Sequence, residues 1–218
     1  MRILYVHSTM VPPPVDPKID RFYQLSAVAE GDILQPTWFQ TPEEVEAVFG
    51  PGTYPAYQVG RFRYHWLLGS PNRDVRQRLR TFRFYIAKGL ELHRRQPFNA
   101  IVAYSHMTTG LMAGLLKLLT GAKLIIEIVT CPELVYITER AEPRLQERAM
   151  KLYSDICLHL CMYLADRAHF LFPRQLQHFP LLRKVPNSVF HEFVPLSLLR
   201  TEAQVPSDSY VLLVGSPW

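Results

Sequence analysis

Short apolar runs alternate with helix-period segments along nearly all of the 218 residues, and this alternation restricts the fold more than any other feature of the sequence. Residues 3–6 form a brief continuous apolar run, as expected of a strand covered on both faces. Residues 123–129, Lys-Leu-Ile-Ile-Glu-Ile-Val, are the clearest strand in the chain. Further strands are expected at 32–39, 57–67, 100–103, 168–172, 183–186 and 210–214. Helices fit between them. One is expected at 20–29. A second opens at Thr41, with Pro42 in its first turn and Glu43 and Glu44 behind it, and stops at Gly50-Pro51-Gly52. A long helix over 72–95 would bury Val75, Leu79, Phe82, Ile86 and Leu90, and a helix over 108–119 would stop at Gly121. Another, over 143–164, would turn Leu145, Ala149, Leu152, Ile156 and Tyr163 inward. The alternation implies an α/β fold: a doubly wound, mostly parallel sheet with helices on both faces. Such sheets bind ligands at the carboxyl ends of their strands, here the loops after Val6, Tyr104, Val129 and Phe172.

Several functional classes lack their signatures. There is no Gly-x-Gly-x-x-Gly after the first strand and no Gly-x-x-x-x-Gly-Lys-Ser/Thr, so a dinucleotide or P-loop fold has no phosphate cradle. No Gly-x-Ser-x-Gly elbow is present. No run reaches the roughly 18 apolar residues of a membrane-spanning helix, and the N-terminal apolar run is too short for a signal peptide. The 3 cysteines, Cys131, Cys157 and Cys161, form no disulfide framework, which suggests a reducing, cytoplasmic setting. Cys157 and Cys161 share a helix face from which His159 points away, so core packing explains them better than a metal ion. Neither metal nor cofactor is expected.

Charge is concentrated in one stretch. The chain nets +5, yet residues 61–95 carry ten Lys or Arg against Asp74 and Glu91 alone. Arg73, Arg76, Arg80 and Arg83 fall on the long helix. Its basic face is either simply solvated or fitted to an anionic membrane surface. Nucleic acid is a poorer fit, because the neighbouring aromatics are needed against the sheet and are lost to base stacking.

The ordered segments resemble the retaining glycosyltransferases of family four, also called group 1. The resemblance rests on the N-terminal Met-Arg-Ile-Leu strand; Asn99-Ala100-Ile101-Val102-Ala103-Tyr104-Ser105-His106 followed by Gly110; and Leu124-Ile125-Ile126-Glu127-Ile128-Val129-Thr130. Leu164-Ala165-Asp166, Lys184-Val185-Pro186-Asn187-Ser188 and Val211-Leu212-Leu213-Val214-Gly215 complete it. The set keeps the family's order across nearly the whole chain. It implies a Rossmann-like N-terminal domain of the GT-B type over 1–188, an interdomain connector over 189–208, and the first strand of a donor-binding domain over 209–218. By the same resemblance this half binds a polysaccharide or lipid-linked glycan acceptor. The nucleotide sugar is held mainly by the second domain, so the chain would be inactive alone. Expected localisation is cytoplasmic, peripheral on the inner face of the cell membrane. The alternative is a non-catalytic α/β binding module, alone or completed by a partner chain. Two departures stand out: the loop from Ser8 to Pro14 has no glycine, and Thr130 stands where the family places a histidine.

Position in the fold selects the candidate acceptor-binding residues. His106, just past a central strand, would either touch the acceptor or be satisfied by neighbouring backbone. Thr130 and Glu133 follow the clearest strand, although Pro132-Glu133 equally suits a helix start. Ser8 and Thr9 follow the first strand. Glu127 either reaches the cleft or turns to solvent. An exposed apolar patch is expected where a partner domain would pack.

Overall fold

A computed structural model describes residues 1–7, 12–69, 75–128, 145–171, 173, 175 and 184–189. The expected connector and the strand at 210–214 lie outside the described residues. Eight strands form one sheet in the order β3-β4-β2-β1-β5-β6-β7-β8. They are β1 (Arg2–Val6), β2 (Glu30–Pro36), β3 (Ala56–Val59), β4 (Phe62–Leu67), β5 (Ala100–Tyr104), β6 (Lys123–Ile128), β7 (Arg167–Phe170) and β8 (Asn187–Val189). All neighbours are parallel except β3 and β4. The expected α/β doubly wound, mostly parallel architecture is the one observed.

Among the described residues the α-helices are α1 (Arg21–Leu25), α2 (Pro42–Phe49), α3 (Val75–Arg95), α4 (Thr108–Thr120) and α5 (Leu145–Leu164). Strand alternation divides the core in two. Leu4, Val6, Ile101, Ala103, Leu124 and Ile126 face Tyr85, Leu116, Leu158 and Met162 of α3, α4 and α5. Ile3, Tyr5, Ile33 and Val102 face the opposite way, against Phe22 of α1, Val45 of α2 and the aromatics Phe39 and Phe62.

Local chemistry explains most boundaries. Thr41 caps α2 by accepting the Glu44 N–H at 3.3 Å, Pro42 occupies the first turn, and Gly50 follows its end. Gly121 ends α4 in the left-handed conformation. Asp20 caps α1, which stops at Leu25 instead of running to 29. The single strand expected over 57–67 is a hairpin, because Gly60, with φ +57°, turns the chain between β3 and β4. The strand expected at 183–186 is found at Asn187–Val189.

Two helix faces differ from expectation. In α3 the buried line is Thr81, Tyr85, Gly89 and Leu92, while Phe82, Ile86 and Leu90 flank it half-buried and Val75 and Leu79 are exposed. In α5 the inward face is Ser154, Cys157, Leu158, Cys161 and Met162. The expected stripe points outward: Leu145 is 84%, Leu152 62%, Ile156 51% and Tyr163 88% exposed, and Ala149 is exposed too. Close packing is the cause in both helices. A Cβ on Gly89 would lie 2.9 Å from Leu116 Cδ2, and one on Gly110 would lie 2.6 Å from Cys161 Sγ. At each of these close crossings one partner is a glycine, Gly89 of α3 against Leu116 and Gly110 and Gly114 of α4 against Cys161 and Leu164, so hydrophobicity alone does not mark the buried side. The two described cysteines are core packing.

Candidate ligand site at the carboxyl edge of the sheet

Strand order reverses between β1 and β5: β2 lies on one side of β1 and β5 on the other. Crevices at such reversals, outside the carboxyl ends of the strands, are where open α/β sheets bind ligands. His7 and Tyr104 stand at this point, their rings stacked with centroids 4.6 Å apart and planes 18° from parallel.

The parallel register extends this pair into a row. Val6 is opposite Ala103, Tyr104 opposite Glu127, Glu127 opposite His169, and His169 opposite Ser188. Side chains level with one another on parallel neighbours share a face, so Tyr104, Glu127 and His169 line one edge, and His7 precedes them on the β1 side.

Arg21 closes the row from above. Its position follows from the α1 cap: the Asp20 carboxylate accepts the Phe22 N–H at 2.7 Å and the Tyr64 hydroxyl at 2.7 Å, which fixes the start of the helix. From there Arg21 reaches across the sheet to pair with Glu127, Nη2 to Oε2 3.0 Å. Its guanidinium lies 4.9 Å from the Phe22 ring, 5.2 Å from Tyr5 and 5.5 Å from Tyr104. Its Nε is buried with no hydrogen-bond partner among the described residues.

The electrostatics follow from this arrangement. Burial, reinforced by the Glu127 carboxylate, pushes the Tyr5 phenol up to about 12, so it is a neutral wall of the site. Burial opposes the Arg21 charge, but Glu127 more than restores it. Burial also holds His169 below the ordinary imidazole range, against the pull of Glu127. The site therefore offers a part-buried ion pair, flat aromatic faces and an imidazole kept toward its neutral form. Those groups suit hydrogen bonding and stacking with a polyhydroxylated ligand.

Of the acceptor-binding residues expected from sequence, Ser8, Thr9, Thr130 and Glu133 lie outside the described residues, as does Arg73. His106 is described and is not brought into the row. It is 1% exposed, its Nε2 lies 2.9 Å from Ser154 Oγ on α5, and its carbonyl accepts the Cys161 thiol at 3.0 Å. Burial draws its pKa down to about 4, against the opposing charge of Asp155. Ser105, between Tyr104 and His106, has φ 107°, a strained conformation for a residue with a Cβ, and it turns the chain from the row into α4. Arg76, Arg80 and Arg83 are exposed on α3. Among the described residues no cluster of His, Cys, Asp or Glu could hold a metal ion, and no helix is long and apolar enough to cross a membrane.

Arg21, His7, Tyr104 and His169 escaped the sequence reading. Their common signal is that three of them are polar residues at or just past the end of apolar strands. Arg21 carries no such mark, because its partner is 106 residues away.

Solved structures share this architecture. UDP-GlcNAc 2-epimerase from Neisseria meningitidis, bound to UDP-GlcNAc, superposes with a TM-score of 0.50 at 12% identity, over 84% of this chain and 44% of that one. The UDP-N-acetylglucosamine 2-epimerase of Rickettsia bellii gives 0.50 at 9% identity, over 87% and 44%. The fold is that of a GT-B domain. The chain spans less than half the length of either of these proteins. No protein-family model matches it, and no curated protein matches its sequence.

Proposed function

We propose that the chain is the acceptor-side half of a nucleotide-sugar-dependent glycosyltransferase of the group 1 type, its carboxyl-edge row forming one wall of the catalytic cleft. A second domain supplies the opposite wall and most of the donor site, so this half alone transfers no sugar. The observation that carries the reading is the Arg21–Glu127 pair, a buried carboxylate and a half-buried guanidinium beside aromatic rings at the reversal in strand order. A carboxylate that accepts from sugar hydroxyls, a guanidinium that donates to them and the stacked His7 and Tyr104 rings are what glycan recognition requires. The GT-B fold, shared with enzymes named for a UDP-sugar, supports a nucleotide sugar as the donor. The acceptor is a polysaccharide or lipid-linked glycan, and the exposed Arg76, Arg80 and Arg83 hold the domain at the anionic inner face of the cell membrane. Placement in the cytoplasm belongs to the same reading.

An oligosaccharide array followed by titration calorimetry tests it. Glu127→Gln preserves the shape of the pair but removes its charge, and should weaken glycan binding roughly tenfold, about 1.4 kcal/mol. A folded Glu127→Gln variant that binds the same glycans with unchanged affinity would remove the site from the proposal.

A further inference from the structure

The exposed face of α5 has a pattern that solvation does not explain. Leu145, Ala149, Leu152, Ile156, His159 and Tyr163 follow one another at alternating intervals of four and three, the spacing of a coiled-coil seam. All six are exposed, and the face lies opposite the buried Ser154, Cys157 and Cys161, of which Cys161 packs against Gly110 of α4. The seam is about 27 Å long at 1.5 Å per residue. Beside it, α4 exposes Leu115, Leu118 and Leu119. With the α4 leucines covering only about one turn beside it, the apolar strip is on the order of 350 Å². A patch of that size lies within the range of the largest apolar patches on monomers, which are often functional, and would form the apolar centre of the roughly 800 Å² each partner buries in a stable complex.

The seam is also its own complement. Run antiparallel about a two-fold axis at the level of Ser154, Leu145 meets Tyr163, Ala149 meets His159 and Leu152 meets Ile156, so the small residue faces a ring and the aliphatics face each other. Each layer joins positions of opposite kind in the heptad, as antiparallel pairs require, and one patch serves both copies. A second domain closing on the ligand site would sit over the carboxyl edge of the strands, not along this helix layer. The basic run lies on α3, whereas the flanks of the α5 seam carry both signs, including the Lys151–Asp155 pair. This favours a protein partner over a lipid surface.

We infer that a second copy of this chain occupies the face, with α5 pairing antiparallel to its counterpart. Sedimentation equilibrium of the 218-residue protein should show a dimer at micromolar concentration. Ile156→Lys, an exposed change, should raise the dimer dissociation constant at least tenfold while circular dichroism stays unchanged. Orientation is read by oxidation. The double variant Leu145→Cys with Tyr163→Cys should form a covalent dimer, whereas Leu145→Cys alone should not, because the two copies of position 145 lie about 27 Å apart. A protein that is monomeric throughout would overturn the inference, as would cross-linking of Leu145→Cys alone. So would a monomer that pellets with phosphatidylglycerol vesicles and loses that binding on Ile156→Lys, which would assign the face to a membrane.

Discussion

His106 and Glu127 are both buried polar groups near the carboxyl edge of the sheet, and their surroundings give them opposite characters. Glu127 meets a guanidinium and forms an ion pair. His106 meets a serine hydroxyl and a thiol, and burial holds it neutral down to about pH 4. In the unfolded chain the same imidazole takes up its proton near 6.5. Between these two values the unfolded state binds more protons, so stability should fall as the pH drops from about 6.5 toward 4. The slope from this residue should be up to about 1.4 kcal/mol per pH unit. Urea unfolding of the wild-type protein and of His106→Asn at pH 7, 6 and 5 measures it. The wild type should lose midpoint across the series and the variant should lose less; parallel losses would mean that His106 is not the group that titrates.

At the scale of elements, the order of strands and helices could be read directly, because apolar runs, caps and glycine stops are local. Thr41, Pro42, Gly50 and Gly121 act where expected. The inward faces of α3 and α5 could not be read that way. A buried face is normally found by its large apolar residues, but α5 meets α4 at two glycines, Cys161 against Gly110 and Leu164 against Gly114, and its inward face mixes serine and cysteine with Leu158 and Met162. Its most apolar stripe was left outside, and periodicity alone assigned the helix the wrong side. The candidate row at the sheet edge was hidden for a different reason. Tyr104, Glu127 and His169 are level only because three strands pair in one register, and register belongs to the sheet, not to any one segment. The α4–α5 contact makes a firm prediction. Gly110→Ala places a Cβ against Cys161 Sγ and 3.0 Å from the Ser105 carbonyl, and should cost about 1–3 kcal/mol in urea unfolding. A neutral result would mean that the two helices are less closely packed than described.

For the molecule as a whole, a GT-B domain presents its ligand-binding edge on one side and its helix layers on the others. In this chain the two kinds of surface differ chemically. The carboxyl edge gathers the Arg21–Glu127 pair, His7, Tyr104 and His169, while the outer layer carries the basic run of α3 and the apolar seam of α5. The proposed cleft, membrane contact and self-association would therefore not compete for residues. The division of labour between this half and a second domain is the central claim, and chemical-shift mapping of the isotope-labelled chain tests it most directly. Oligosaccharides should move the amide signals of His7, Arg21, Tyr104, Glu127 and His169, while UDP-N-acetylglucosamine should bind no more tightly than about millimolar, roughly 4 kcal/mol. Micromolar binding of the nucleotide sugar to this half, or glycan-induced shifts confined to residues away from that edge, would contradict it.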